Sequence, residues 1–153
     1  MAPINNYQYS FAGFLPSSFP QSFAYFENEV INWGIARKII QHSTSRAQAS
    51  KANEEVDELL DHTSALRAIR QAKACLNSKD IEVFNSLSEM EVELLSAIED
   101  DIGDIIVCLI MVASIEGLDL KNCLAKAYSE IKDRKGEMRA DGKFYKESPA
   151  AST

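Results

Sequence analysis

Residues 88–117 read SEMEVELLSAIEDDIGDIIVCLIMVASIEG, and this stretch decides the fold. Its apolar run over residues 105–115 is interrupted only by Ser114. The run is about half as long as a membrane span, and a run of this length is typical of a buried helix in a globular protein. We therefore interpret the stretch as a long helix that lies in the core.

Two local signals mark the ends of this helix. Ser88 and Glu91 have the spacing of a capping box, which predicts the start. Gly117 follows the last apolar position, where glycine is the favoured residue just past a helix C-terminus. The sequence thus predicts a helix over residues 88–115.

Helical periodicity also covers most of the remaining chain, whereas no segment alternates as a strand does. In HSTS, at residues 42–45, the hydroxyls offer an N-cap. Together these signals predict an all-α fold, a helical bundle of four to five helices. The other helices are expected at residues 23–40, 45–63, 64–75 and 118–139, with an ambiguous segment at 80–87.

The chain divides into three parts by composition. Residues 1–22 form an aromatic N-terminal arm with prolines that block a helix. Residues 23–147 are expected to form the helical domain, and residues 148–153 a flexible tail. The arm is expected to pack on the body or on a neighbouring subunit, and a floppy tail is the alternative. Together with the apolar helices, the arm predicts a homo-oligomer, a dimer or tetramer.

Composition narrows the classes of partner. The 153 residues carry a formal net charge of −7, which argues against a general duplex-binding protein because binding phosphates needs a basic surface. We expect neither a nucleic-acid polymer nor a membrane as partner. Three cysteines without a CxxC pair and an N-terminus without a secretory signal pattern predict a cytoplasmic protein with reduced thiols.

Acidic residues are concentrated in two segments. Residues 54–61 read EEVDELLD, and residues 89–104 contain seven acids but no Lys or Arg. Residues three apart share one side of a helix, which applies to Glu55 with Glu58 and to Asp101 with Asp104. Four such carboxylates on two antiparallel helices would make a site for a hard cation such as Mg²⁺ or Mn²⁺.

Solvated helix faces are the alternative interpretation of these acids, and they are the commoner explanation of an acidic run. The second segment favours the metal site, because Asp100, Asp101 and Asp104 are poor helix formers. Gly103 between them adds a further cost and suggests a close helix approach or access for a ligand.

These motifs, in this order, resemble those of the MazG-like all-α nucleoside triphosphate pyrophosphohydrolases, especially compact, phage-type members. The resemblance covers about residues 26–147. It is carried by Glu-Glu-x-x-Glu at residues 54–58, Asp-x-x-Asp at 101–104, Trp33, Lys51, EGLDL at 116–120 and AYSEIKDRKGEMRADGKFYKE at 127–147. Asp101 stands where the family usually has Glu, and the segment between the motifs is longer than usual, which predicts an extra helical element or a displaced helix.

The resemblance implies an enzyme that hydrolyses an NTP or dNTP to the monophosphate and pyrophosphate, with Mg²⁺ or Mn²⁺ as cofactor. The metal ligands would be Glu55, Glu58, Asp101 and Asp104, and Glu54 or Glu55 would act as the base that orients the attacking water. A phage-encoded member would work in the host cytoplasm.

Further residues are candidates for binding the substrate. Trp33 offers a stacking surface for the base and Asn32 a hydrogen-bonding edge, although a single Trp in a helix is as often part of the core. His42 and His62 are expected on turns without a catalytic role. The candidate phosphate-binding cations, each of which can equally be a solvated side chain, are Lys51, Lys126, Lys132, Arg134 and Lys143.

The substrate is the least determined property. Resemblance to phage members favours a deoxypurine triphosphate, dGTP ahead of dATP. A dUTPase-type or phosphoribosyl-ATP-type substrate is the alternative within the family. The alternative outside it is a non-catalytic helical assembly protein.

Overall fold

A computed structural model describes residues 22–77 and 79–147. The expected all-α helical bundle is confirmed, with one small two-stranded sheet added. In chain order the elements are α1 Phe23–Ala36, α2 Ile39–His42, α3 Ser45–Cys75, α4 Ile81–Ile115, α5 Leu120–Ile131, β1 Gly136–Met138 and β2 Phe144–Lys146.

The centre of the fold is a long hairpin of α3 and α4, which run antiparallel. Lys73 near the end of α3 contacts Glu91 in the first half of α4, whereas His62 contacts Asp101 further along. The Oγ1 atom of Thr44 accepts a hydrogen bond of 3.1 Å from the N–H of Ala47, so the N-cap predicted in HSTS is present.

Helix α3 is continuous where the sequence predicted two helices meeting at residues 63 and 64. The hydroxyls of Thr63 and Ser64 both donate to the carbonyl of Leu60, at 3.1 and 2.7 Å. Because these hydroxyls find an acceptor within the helix, they do not interrupt it. The long segment between the acidic motifs therefore lengthens α3 and α4 and adds no separate helix.

The capping box predicted at Ser88 is wrong, because α4 begins seven residues earlier, at Ile81. The Oγ atom of Ser88 donates to the carbonyl of Phe84 at 2.7 Å, and Glu91 binds Lys73 and Arg70 on α3. The predicted end of this helix at Ile115 is confirmed.

The C-terminal end of α4 is closed by backbone hydrogen bonds around a glycine. Gly117 has a φ of +67°, and the N–H of Leu118 donates to the carbonyl of Ala113 at 2.8 Å. A positive φ is costly for residues with a Cβ, which explains the glycine at this position.

The core surrounds the C-terminal part of α4, where Met111 is the largest fully buried side chain. Helix α1 packs against α4 at Gly34, where an added Cβ would lie 2.5 Å from the Sδ atom of Met111. Buried Glu27 accepts a hydrogen bond of 3.0 Å from the N–H of Leu120 and so joins α1 to the start of α5.

The last predicted helix ends early and is followed by a β-hairpin. Helix α5 stops at Ile131, and strands β1 and β2 pair antiparallel with Gly136 opposite Lys146. Gly142, with a φ of +79°, turns the chain between the strands. The Arg139 guanidinium lies 3.9 Å from the centroid of the Tyr145 ring.

The expectations for the aromatic arm and the tail concern residues 1–22 and 148–153. Of these residues, only Ser22 belongs to the part of the chain that the structure describes. Among the helices of residues 22–77 and 79–147, none has both the length and the apolar character needed to cross a membrane.

Candidate functional site

The packing of α3 against α4 brings the two acidic motifs into one region. Glu55 on α3 and Asp101 on α4 are both buried, with relative exposures of 6% and 5%. Buried carboxylates are rare unless they are paired, so these two residues mark a specialised part of the helix interface. Their neighbours Glu54, Glu58 and Asp104 are exposed.

Glu55 is paired with a lysine of its own helix. The Nζ atom of Lys51 lies 2.6 Å from Oε1 of Glu55 and 3.3 Å from Oε2 of Glu54. These hydrogen bonds, to Glu55 first and then to Glu54, hold the pKa of Lys51 well above its usual range. The lysine therefore remains charged and supplies a local counter-ion for both glutamates.

Asp101 is paired with a histidine on the facing helix. The Nδ1 atom of His62 lies 2.7 Å from Oδ2 of Asp101, and His62 is half-buried within α3. This contact raises the pKa of the imidazole, because the hydrogen bond to Asp101 favours the protonated form.

The expectation that His62 lies on a turn is wrong. A signal was present in the sequence, since His62 follows Glu58 by four residues and Glu55 by seven, and these spacings place all three on one side of a helix. His42 ends the short helix α2 and is exposed.

Asp104 lies within electrostatic reach of the α3 carboxylates. Desolvation is the main reason why its pKa is raised, followed by the negative charges of Glu55 and Asp100, while Lys51 acts in the opposite direction. The register of the hairpin thus brings Asp104 towards Glu55 and Lys51. In solution an arrangement of this kind takes up a cation or a proton more readily than an isolated aspartate does.

An open groove runs beside Asp104 on the surface of α4. A Cβ added at Gly103 would meet no atom within 4 Å, so no other helix approaches the glycine closely. Of the two roles suggested for Gly103, ligand access fits this finding. The groove is lined by Ser96, Ala97, Glu99, Asp100, Gly103, Asp104 and Val107.

The four predicted metal ligands are carboxylates, which suit a hard divalent cation, but their side chains do not converge on one point. Within residues 22–77 and 79–147, no group of three or more His, Cys, Asp or Glu residues is arranged to hold a metal ion. Glu55 is instead turned to Lys51, and Asp101 to His62. A bound cation would have to replace Lys51 and His62 as the partners of these carboxylates.

Most of the candidate phosphate-binding cations lie on other elements. Lys126 is on α5, which packs against α4, while Lys132, Arg134 and Lys143 follow α5 or lie in the β-hairpin, and all four are exposed. Lys51, in contrast, lies close enough to Asp104 to lower the pKa of its carboxyl.

The two candidate base-binding residues lie side by side on α1 and are exposed. The Arg37 guanidinium stacks 4.7 Å from the centroid of the Trp33 ring. Trp33 is 41% exposed, so within a single chain it is a surface residue and does not belong to the core. Asn32, its neighbour in the helix, points in a direction about 100° away.

Neither the search against protein-family models nor those against curated proteins and solved structures found a match to this chain. The resemblance to MazG-like pyrophosphohydrolases therefore stays a prediction from the sequence motifs.

Proposed function

We propose that the protein is a metal-dependent nucleoside triphosphate pyrophosphohydrolase that converts a (d)NTP to the (d)NMP and pyrophosphate. The observation that carries the proposal is the pair of buried carboxylates, Glu55 on α3 and Asp101 on α4, placed on facing helices beside the exposed acids Glu58 and Asp104. Burying a carboxylate carries a desolvation cost that even a close partner often does not offset, so a functional requirement for Glu55 and Asp101 explains their burial better than stability does.

The proposed roles follow from position and charge. Glu55, Glu58, Asp101 and Asp104 would hold Mg²⁺ or Mn²⁺, and Glu54 or Glu55 would accept the proton of the attacking water. A bound divalent ion supplies charge neutralisation for the phosphates and lowers the pKa of its water. Glu54 is exposed and 3.3 Å from Lys51, a position from which its carboxylate can reach a solvent molecule.

Lys51 and His62 would act as stand-ins for the cation in the metal-free protein. Each contacts one buried carboxylate, at 2.6 Å for Lys51 and 2.7 Å for His62, and each is itself partly exposed to solvent. When the cation binds, Lys51 can swing to the triphosphate, because its side chain is flexible and half exposed.

For the substrate we propose a deoxypurine triphosphate such as dGTP, and a dUTPase-type or phosphoribosyl-ATP-type substrate as the alternative. The choice of base rests on the resemblance to phage members. The exposed pair Asn32 and Trp33 would contact the base, and the cations of the C-terminal part would contact the phosphates. Lys126, Lys132, Arg134 and Lys143 belong to elements without extensive packing on α3, so they would reach the site by movement or from a second subunit.

The test is a chromatographic analysis of products from each dNTP with Mg²⁺ or Mn²⁺. We expect pyrophosphate and a monophosphate, and we expect Glu55→Gln and Asp104→Asn each to reduce turnover by more than about 100-fold, since even residues that only support metal ligands cost 10–100-fold. Glu89→Gln is the matched control, because Glu89 is an exposed acid of α4 outside the groove. Turnover that survives both substitutions would overturn the assignment.

A specific observation favours a second candidate, a non-catalytic helical assembly protein. Both buried carboxylates already have a side-chain partner, Lys51 or His62, and the part of the chain described here holds no grouped set of metal ligands. This candidate predicts no turnover of any dNTP and no rise in melting temperature with Mn²⁺. The enzyme predicts turnover of at least one dNTP and a higher melting temperature with Mn²⁺.

A further inference from the structure

A second groove follows the one at Asp104 along the α3–α4 hairpin. Its volume is about 520 Å³, and the two grooves are continuous because Ala97 lines both. The second groove is formed by the long segment between the two acidic motifs. We call it the apolar groove, after the six apolar side chains that line it: Ala65, Ala68 and Ile69 of α3, and Met90, Leu94 and Ala97 of α4.

The walls of the apolar groove suit a planar ring. Ile69 is buried and Leu94 half-buried, whereas Ala65 and Ala68 are exposed and so small that they leave room beside them. Met90 is 47% exposed, and the flexible thioether of methionine packs well on aromatic rings. Grooves of this volume, with mostly apolar walls and few polar groups, are typical of small-molecule sites.

The apolar groove lies at a suitable distance from the candidate metal site. Glu93, which also lines it, precedes Asp104 by 11 residues, or about 16 Å along α4. This distance is comparable with the length of an extended nucleoside triphosphate. On α3, Ala65 follows the predicted metal ligand Glu58 by seven residues, so the two lie on the same side of the helix. A triphosphate chain at Glu58 and Asp104 can therefore extend so that the base enters the apolar groove.

Glu93 gives the apolar groove a means to select the base. Of the described residues that line it, Glu93 alone has a polar side chain. Glu93 is exposed and has no ion-pair partner within residues 22–77 and 79–147, unlike Glu91, which binds Arg70 and Lys73. An ionised carboxylate only accepts hydrogen bonds, so it selects a base edge that presents donors.

Guanine matches a carboxylate better than the other bases do. Its N1–H and its N2 amino group are adjacent donors, which fit the two carboxylate oxygens as a bidentate pair. Adenine and cytosine place an acceptor nitrogen beside the amino group, and uracil and thymine place one N–H between two carbonyls. Each of these edges brings a lone pair against the carboxylate, so Glu93 favours guanine.

The apolar groove and the surface at Asn32 and Trp33 cannot hold the same base. Helix α1 packs against α4 at Met111, seven residues beyond Asp104, whereas the apolar groove lies on the other side of Asp104 along α4. Trp33 offers a single exposed ring against which Arg37 already stacks. The apolar groove offers walls from two helices together with a hydrogen-bond acceptor.

We propose that the apolar groove, and not the surface at Asn32 and Trp33, holds the base of the nucleotide, and that Glu93 selects guanine by accepting hydrogen bonds from N1–H and the N2 amino group. The inference rests on the proposed function, because the position of the triphosphate at Asp104 directs the base into the apolar groove. It adds a subsite and a residue that determines specificity.

Steady-state turnover of dGTP and dATP with Mn²⁺ tests the role of Glu93. In Glu93→Gln the amide retains one acceptor but turns a donor towards the second donor of guanine. We expect kcat/KM to fall by about 10- to 100-fold for dGTP and to stay the same or rise for dATP. Glu89→Gln is the matched control, because Glu89 is an exposed acid of α4 outside both grooves.

Equilibrium binding of dGTP and of inorganic tripolyphosphate, each with Mn²⁺, tests the apolar groove itself. Ala68→Leu fills the apolar groove, so we expect dGTP to bind at least about 10-fold more weakly, while tripolyphosphate, which has no base, binds as before. Ala74→Leu is the control. It adds the same side chain at an exposed position of α3, about 120° around the helix from Ala68 and outside the apolar groove.

The outcomes separate this inference from the catalytic assignment. Hydrolysis of dGTP that is unaltered in Glu93→Gln and Ala68→Leu would overturn the inference and leave the enzyme standing. A wild type that binds dATP more tightly than dGTP would also overturn it. Binding of dGTP that Ala68→Leu weakens, without release of pyrophosphate by the wild type, would support the apolar groove and reject the enzyme. Absence of any dGTP binding would reject both.

Discussion

Oδ2 of Asp101 on α4 lies 2.7 Å from Nδ1 of His62 on α3, so the buried carboxylate of one helix finds its hydrogen-bond partner on the other. A parallel arrangement occurs at Glu55, whose partner Lys51 lies one turn earlier in the same helix. The two acidic motifs are therefore not alike. Glu55 of the first motif is neutralised within α3, whereas Asp101 of the second motif ties α4 to α3.

Substituting His62 tests the first of these contacts. His62→Ala leaves the Asp101 carboxylate buried without its partner, and we expect the melting temperature to fall. If the site binds a cation, Mn²⁺ should restore more stability to this variant than it adds to the wild type, since the ion would replace the lost partner of Asp101. His42→Ala is the control, because His42 is exposed at the end of α2. Equal effects of the two substitutions would contradict the role given to His62.

Glu91 predicts a dependence of stability on pH. Its hydrogen bonds with Lys73 and then Arg70 lower the pKa of the carboxyl below its usual value. A lowered pKa in the folded state contributes stability above the pKa of the unfolded state, and this contribution disappears as the pH falls through the folded-state value. Glu91→Gln should thus be less stable by about 1–2 kcal/mol at pH 7 but close to wild type in strong acid.

Urea denaturation of both proteins between pH 7 and pH 2 measures this difference. A gap between wild type and Glu91→Gln that stayed constant down to the lowest pH would show that packing, and not the charge of Glu91, accounts for it.

Two glycines of the bundle should respond in opposite ways to alanine. Gly34→Ala places a Cβ 2.5 Å from the Sδ atom of fully buried Met111, so either the Met111 side chain or α1 must move within a packed core, and we expect a loss of about 1–3 kcal/mol. Gly103→Ala meets no atom within 4 Å in the middle of α4 and should gain about 0.5–1 kcal/mol from helix propensity. Chemical denaturation of the two variants provides the comparison, and destabilisation by Gly103→Ala would mean that α4 is covered at that point.

The parts of the fold that the sequence predicted are those fixed by local chemistry. The cap at Thr44 and the end of α4 at Gly117 depend on one side chain and one backbone angle, and both are confirmed. The class of the fold follows from the apolar periodicity in the same way.

The errors arose where a long-range contact overrides a local signal. Ser88 and Glu91 have the pattern of a capping box, but Glu91 is held by Arg70 and Lys73 from α3, and the helix passes through both residues. The β-hairpin was missed because three-residue strands are too short to show alternation. His62 was placed on a turn because a helix was expected to end at residue 63, whereas α3 continues to Cys75.

The central claim is that a divalent cation and a nucleotide belong between the carboxylates of α3 and α4. A crystal grown with Mn²⁺ and a non-hydrolysable dNTP analogue tests it most directly, through the anomalous scattering of manganese. We predict a peak within coordination distance of Glu55 and Asp101, with Lys51 and His62 moved from the positions they hold here. Clear density for both pairs at 2.6 and 2.7 Å, without a manganese peak beside them, would contradict the account.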